Sequence, residues 1–311
     1  MIMQTLIISA AAMGVCAEER IAVVEIADAI ETRYVLESNA KISAETLRRK
    51  NLLGTYDEHC EDGVAFADFL TRHLREVTGD KHFYVEFTAG PNNSDGEDWV
   101  AEWRKEAASN AFGVKHVERF EGNIAYLALS SFYEYEPAER ALASAFELLS
   151  TSDAAIVDLR GNGGGSPETA WPIEWTFKEA NNPIQRKMET RVSEPEKLEE
   201  PSLSWPRYGA KRPLVILMNK SSFSASEAVA YGLQAEGRAI IIGERSGGGA
   251  HMLGDGVSVT GGWKIGIPET RPVNRITGTN WEDEGVVPDV EVSSDKALAR
   301  ALVYLRGKLS N

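Results

Sequence analysis

The pattern of apolar and polar positions changes character along the chain. Over residues 20–78 apolar residues recur at intervals of three and four, the period of an amphipathic helix. Val23, Ile26, Ala27 and Ile30 form one stripe, and Phe66, Phe69, Leu70 and Leu74 another. Residues 39–43, followed by Ala44-Glu45-Thr46-Leu47, predict a loop running into a capped helix. Thr78-Gly79-Asp80-Lys81-His82-Phe83-Tyr84-Val85-Glu86-Phe87 then reads as a turn leading into an alternating strand. Residues 90–98 carry Pro91, Asn92, Asn93, Asp95 and Gly96 and predict a linker or surface loop.

From about residue 114 strands alternate with helices. Residues 124–129, 154–159, 214–218 and 239–242 are strand candidates. The run at 154–159 is apolar throughout most of its length, as expected of a strand covered on both faces. Helical segments are expected over 136–150, 225–236 and 295–307. Residues 193–212, with Pro195, Pro201 and Pro206, predict an exposed loop. This alternation argues for an α/β core with helices packed on a sheet. The expected division is a helical amino-terminal region over 18–88, a linker over 89–113 and the core over 114–311.

Composition adds exclusions. Apolar residues make up 43% and charged residues 26%, the balance of a globular protein, and the formal net charge is −14. So acidic a chain repels phosphate backbones, which argues against a nucleic-acid partner. No apolar run reaches the length of a membrane-spanning helix. Residues 5–17 are a shorter apolar run, with Val15 and Ala17 where a signal peptidase requires small residues. Cleavage after Ala17 and a periplasmic or secreted location are therefore expected. The alternative is that the run begins a buried first helix, in which case the protein is cytoplasmic. Cys16 would leave with the signal and Cys60 would remain a single thiol. No disulfide framework, CxxC pair or zinc spacing is visible, so neither a disulfide nor a metal is expected.

Three segments carry candidate chemistry. Asp158-Leu159-Arg160-Gly161-Asn162-Gly163-Gly164-Gly165 lies between a strand and a helix, where glycines let backbone N–H groups approach a ligand. A tight strand-to-helix turn explains it equally well. Asn219-Lys220-Ser221-Ser222-Phe223-Ser224-Ala225-Ser226-Glu227 follows a strand and opens a helix. Ser224 and Glu227 have capping-box spacing, and a serine at a helix start also has the setting of a nucleophile beside an oxyanion hole. Trp281-Glu282-Asp283-Glu284-Gly285-Val286-Val287-Pro288-Asp289-Val290 combines a shaped turn with an acidic cluster.

Taken together and in this order, DLRGNGGG, NKSSFSASEAVAYGLQAEGRAIIIGERSGGGA and EGVVPDVEV resemble the S41 family of serine peptidases, and TGDKHFYVEF resembles the segment leading into that family's core. The resemblance covers most of the chain from about residue 20. It implies a ClpP/crotonase-like α/β core preceded by a small helical amino-terminal domain. It also implies Ser224 as nucleophile, in preference to Ser222 and Ser226, and an oxyanion hole from the N–H of Ala225 and of a glycine in the Gly163-Gly164 pair.

Many members place a lysine base where this chain has Gly249. The resemblance to tricorn-like members instead implies His82 as base, supported by Glu282. A serine that precedes the histidine there is replaced here by Lys81. His251, on the glycine-rich loop, is the alternative base, although a loop histidine is expected to be partly exposed. His59, His73 and His116 lack a partner pattern.

The implied reaction is hydrolysis of peptide bonds in peptides or unfolded proteins through an acyl-enzyme, and it requires no metal or organic cofactor. The stretch between about 88 and 114 is too short for a PDZ module. Two other readings of the same fold are a non-catalytic protein that binds apolar ligands and a crotonase-like acyl-CoA enzyme.

Overall fold

The computed structural model of the chain describes residues 16–88, 97–194 and 197–310. The expected signal segment lies outside the described residues except for Cys16 and Ala17. In chain order the elements are α1 (Ala17–Arg33), α2 (Glu37–Leu52), α3 (Gly63–Thr78), β1 (Tyr84–Phe87), α4 (Glu97–Ser109), β2 (Val114–Phe120), β3 (Ile124–Leu129), α5 (Tyr135–Ser150) and β4 (Ala154–Asp158). They continue with α6 (Pro167–Thr176), β5 (Arg186–Thr190), β6 (Leu214–Met218), α7 (Ala225–Ala235), β7 (Ile240–Gly243), β8 (Met252–Leu253), β9 (Val257–Val259), β10 (Trp263–Gly266), β11 (Pro268–Asn274), β12 (Val290–Glu291) and α8 (Ala297–Leu309). The chain divides into two compact units. Among the described residues, the first joins 16–88 to 189–194 and 251–271, and the second comprises the rest.

In the first unit the predicted stripes become the core. Val23, Ile26 and Ile30 of α1 and Phe66, Leu70 and Leu74 of α3 pack with Phe83, Val85, Trp263 and Ile265. Each such side chain contributes about 1.5–3 kcal/mol on burial. Strand β1 pairs antiparallel with β10, with Val85 opposite Ile265, and β10 pairs with β9. Helix α3 starts at Asp62, whose Oδ1 accepts the N–H groups of Val64 and Ala65 at 3.0 Å. It stops at Gly79, whose φ of 78° suits only a residue without Cβ.

Two expectations fail in this unit. Residues 39–43 lie inside α2, because Ala40 and Ala44 are fully buried on one face and Glu37 pairs with Lys41 one turn on. Cys60 is also not a lone thiol. It forms a disulfide with Cys16, the residue capping α1, with the two Cα atoms 5.3 Å apart. The partners are 44 residues apart, and only the return of the chain through α2 brings them together.

The second unit is built on a six-stranded sheet of order β12-β7-β6-β4-β3-β2. All neighbours are parallel except β2, which pairs antiparallel with β3 at the edge. The strand period of two sorts the residues onto two faces. Leu127, Val157, Ile216 and Ile241 pack with α5, α6 and α7, while Ile156, Val215, Leu217 and Ile242 pack with Ala297, Ala301 and Leu305 of α8. Burial on both faces accounts for the apolar runs in the sequence. The expected linker contains helix α4, whose Ala107 is buried and whose Trp103 packs against Tyr133. The expected exposed loop at 193–212 forms no helix or strand among its described residues, yet it contributes buried Trp205 and Tyr208 to the core.

Candidate active site

In a parallel sheet the loops at the carboxyl ends of the strands build the site. Here β4 leads into the glycine loop at 159–165 and β6 into the serine turn at 219–224, and β4 and β6 are direct neighbours. The three candidate serines, Ser222 and Ser224 in that turn and Ser226 in the first turn of α7, differ in what occupies them. Ser222 and Ser226 are fully buried. The Ser222 hydroxyl donates to the Leu159 carbonyl at 2.8 Å, and the Ser226 hydroxyl to the Asn162 carbonyl at 2.9 Å. Both stitch the serine turn to the glycine loop.

Ser224 has a different backbone. Its φ of 56° and ψ of −122° fall outside the ordinary left-handed well, in a region costly for a residue with a side chain. An N-cap serine normally sits in the extended region. Helix α7 begins at the next residue, and among the described residues the Ala225 N–H has no acceptor.

The glycine loop lies directly against this turn. A Cβ added to Gly164 would come within 2.9 Å of the Ser224 Cβ and the Ala225 nitrogen, so glycine is required for the approach. The Gly164 N–H donates to Asn162 Oδ1 at 2.8 Å, and its carbonyl accepts the Phe132 N–H at 2.8 Å. Gly163 has no acceptor for its N–H among the described residues, and a Cβ there would meet nothing within 4 Å.

Behind the turn lies the carboxylate of Glu227, which is fully buried. It accepts the Ser224 N–H at 2.8 Å, which is the carboxylate half of the capping box. It also accepts the N–H groups of Gly248 and Gly249 at 2.7 and 3.0 Å and the Ser246 hydroxyl. Burial pushes its pKa up, and these four donors oppose that shift. The sequence showed the cap but not the second set of donors. The Trp281-Glu282 turn closes on the same loop. Trp281 donates its ring N–H to the Gly249 carbonyl at 2.7 Å, and Glu282 accepts the Ala250 N–H. Gly249, at the position of the family's lysine, thus belongs to a hydrogen-bonded frame.

The two candidate bases lie in the first unit, where they share one carboxylate. His251 Nδ1 is 2.6 Å from Asp80 Oδ2. The His82 N–H donates to Asp80 Oδ1 at 3.0 Å, and its ring Nδ1 is 3.6 Å from the same oxygen. His251 is 2% exposed, which overturns the expectation of a partly exposed loop histidine. Burial raises the Asp80 pKa, but hydrogen bonds from His251 and His82 and the charge of His251 outweigh it, and the carboxyl is held well below its usual range. In the sequence Asp80 shows no role beyond its place before His82, because the partner that reveals one stands 171 positions away. Elsewhere in this unit, His73 is buried between Tyr56 and Phe69, and His59 packs on Phe69. In the second unit His116 lies exposed beside Glu118.

The model of peptidase family S41 matches residues 123–292, more than half of the chain and the whole span of the glycine loop, the serine turn and the Glu282 turn. The chain belongs to peptidase family S41. As an S41 member it is a serine-type peptidase, an enzyme that hydrolyses peptide bonds in peptide or protein substrates.

Solved structures extend the likeness beyond the matched core. A protein from Parabacteroides merdae superposes with a TM-score of 0.64 at 19% identity, covering 93% of this chain and 96% of its own. The photosystem II D1 C-terminal processing protease gives 0.57 at 17%, covering 91% and 97%. Mature CPAF gives 0.60 at 11%, covering 95% and 96%. At these identities the likeness is one of fold, and it takes in nearly all of this S41 chain.

Proposed function

We propose that Ser224 is the nucleophile of this S41 peptidase, that the N–H groups of Ala225 and Gly163 hold the oxyanion, and that a histidine anchored on Asp80 is the base. The observation that carries the reading is the Ser224 backbone at φ 56° and ψ −122°. A serine serving only as a helix cap gains nothing from that conformation, whose cost is about 1–3 kcal/mol. A nucleophile gains exposure of its hydroxyl beside free N–H donors. The Gly163 N–H is preferred to that of Gly164, which is spent on Asn162. The same strained serine weighs against a non-catalytic binding protein and against a crotonase-like acyl-CoA enzyme, neither of which needs a nucleophile there.

Chemically, the Ser224 hydroxyl attacks the peptide carbonyl as the histidine takes its proton. The tetrahedral oxyanion collapses with loss of the amine, which receives that proton, and water then releases the acyl group. Asp80 orients the His251 imidazole at hydrogen-bonding distance, while the His82 ring nitrogen lies 3.6 Å from the same carboxylate. Glu282 supports the glycine loop through Ala250, the residue preceding His251. The substrates we expect are peptides and unfolded proteins. A periplasmic or secreted location is also proposed, supported by the Cys16–Cys60 disulfide, a bond suited to oxidising compartments. Cleavage after Ala17 would remove Cys16, so this reading requires processing that spares it.

The test compares the wild type with Ser224→Ala on casein and a mixed peptide library. Cleavage that disappears in a folded Ser224→Ala variant supports the assignment, and equal cleavage by both proteins overturns it. His82→Ala and His251→Ala then identify the base by the larger loss of kcat.

A further inference from the structure

We infer that Asn162 is the positioning residue of the oxyanion hole, fixing which glycine N–H of the loop faces the acyl carbonyl. The inference rests on Ser224 being the nucleophile. Asn162 is fully buried, and each of its polar groups has a partner. Its own N–H donates to the Leu159 carbonyl at 3.0 Å. Its carbonyl accepts the Phe223 N–H at 2.9 Å and the Ser226 hydroxyl at 2.9 Å, which ties it to the chain on either side of Ser224. The side-chain Nδ2 donates to the Leu129 carbonyl at the end of β3 at 3.0 Å, and Oδ1 accepts the Gly164 N–H at 2.8 Å. One residue therefore joins strand, glycine loop and nucleophile turn.

The consequence for the loop is selective. The Asn162 side chain consumes the Gly164 N–H and Phe132 takes the Gly164 carbonyl, so the two peptides flanking Gly164 are each held by one hydrogen bond. Among the described residues the Gly163 N–H is left without an acceptor, and a Cβ there would meet nothing within 4 Å. Without the Asn162 amide, the Gly164 N–H loses its partner, and a run of three glycines has little intrinsic preference to hold one orientation. An oxyanion hole works through donors fixed before the charge develops. Loss of that fixing should appear in the transition state far more than in substrate binding.

The experiment uses the full chain and follows phosphonylation of Ser224 by a fluorophosphonate, in which the Ser224 oxygen bonds to phosphorus and fluoride leaves. Peptide kcat and KM and inhibition by a peptide aldehyde are measured in parallel. Asn162→Ala is expected to slow phosphonylation and kcat about 100-fold, within the range for losing one oxyanion donor, and to weaken aldehyde inhibition in proportion, with KM little changed.

Asn162→Asp provides the readout that a purely structural role would not move. When neutral, its carboxyl can donate to the Leu129 carbonyl and accept from Gly164, as the amide does. When ionised, it sets an anion against the Leu129 oxygen. Its rate relative to wild type should therefore recover as pH falls. It also decides the matter if Asn162→Ala fails to fold. Labelling of Ser224 in wild type together with folded variants labelled equally fast at every pH overturns the role of Asn162 alone. A wild type not labelled at Ser224, with Ser224→Ala cleaving as well, removes the nucleophile assignment and this inference with it.

Discussion

The Glu227 carboxylate accepts the backbone N–H of Ser224 at 2.8 Å and, with its other oxygen, that of Gly248 at 2.7 Å. Two loops far apart in sequence are thereby held by one buried side chain, which also takes the Gly249 N–H and the Ser246 hydroxyl. Glu227→Gln replaces one acceptor oxygen with an NH2 group that meets donors. We expect at least a tenfold loss in kcat/KM with a lower melting temperature. Glu227→Ala strands buried donors at about 1–3 kcal/mol each and should be harsher. Kinetics and thermal unfolding of the two variants check this, and unchanged activity in Glu227→Gln would contradict it.

Gly164 offers a sharper test of the loop's approach to the nucleophile. Its φ is 98°, and a Cβ would lie 2.8 Å from the Phe223 carbonyl oxygen and 2.9 Å from the Ser224 Cβ. Gly164→Ala must push the glycine loop off the serine turn. Loss of about 100-fold or more in kcat is expected. Gly161→Ala is the control for strain without crowding, since its φ is also positive at 76° but nothing lies within 4 Å of the added carbon. Comparable losses in the two would show that proximity to Ser224 is not the cause.

Asp80 makes stability depend on pH in a defined direction. Folding lowers its pKa, so the folded state favours the anion, and this contribution is complete above the unfolded value of about 3.9. It is lost as pH falls below that value through the depressed folded one. Asp80→Asn should therefore be less stable than wild type at pH 7, with the gap closing in acid. Denaturant melts at several pH values measure this. A gap that widens on acidification would show that Asp80 is not held as the anion. The variant should also lose kcat, because the imidazoles lose their orienting carboxylate.

The Cys16–Cys60 disulfide closes a loop of 44 residues, for which chain-entropy estimates give about 2–4 kcal/mol. Cys16→Ser and Cys60→Ser should each lower stability by that order, and the double variant should be no worse than either single one. Intact mass without reductant should be lower by the two thiol hydrogens. Additive losses in the double variant would argue that the cysteines act separately.

Much of the core was legible because it is written in local periodicity. The runs that became β3, β4 and β6 and the stripes of α1 and α3 needed only their neighbours in sequence to be recognised. The glycine loop and the serine turn were visible for the same reason, since each is a contiguous word at a strand end. What escaped depends on distant partners. Nothing near Asp80 announces His251, and nothing near Cys60 announces Cys16. Residues 39–43 look like a loop until Ala40 and Ala44 are seen buried in α2. Strands β8 to β10 run only two to four residues, and the longer β11 is interrupted by Pro272, so none shows an alternation. The burial of Trp205 and Tyr208 was masked by the prolines around them.

Strand β1 has its partner β10 in the first unit, yet residues 88 and 263 are separated by most of the second unit in sequence. During synthesis the amino-terminal helices and β1 leave the ribosome long before Trp263 exists. At about 5–20 residues per second that wait is roughly 9–35 s. For that interval β1 exposes an unpaired edge, and the aromatic faces of Phe66 and Phe87 lack the Trp263 ring that later covers them. The nascent chain thus carries a half-built module throughout manufacture of the serine turn, and the amino-terminal third made as a separate fragment would lack the strand that pairs with β1.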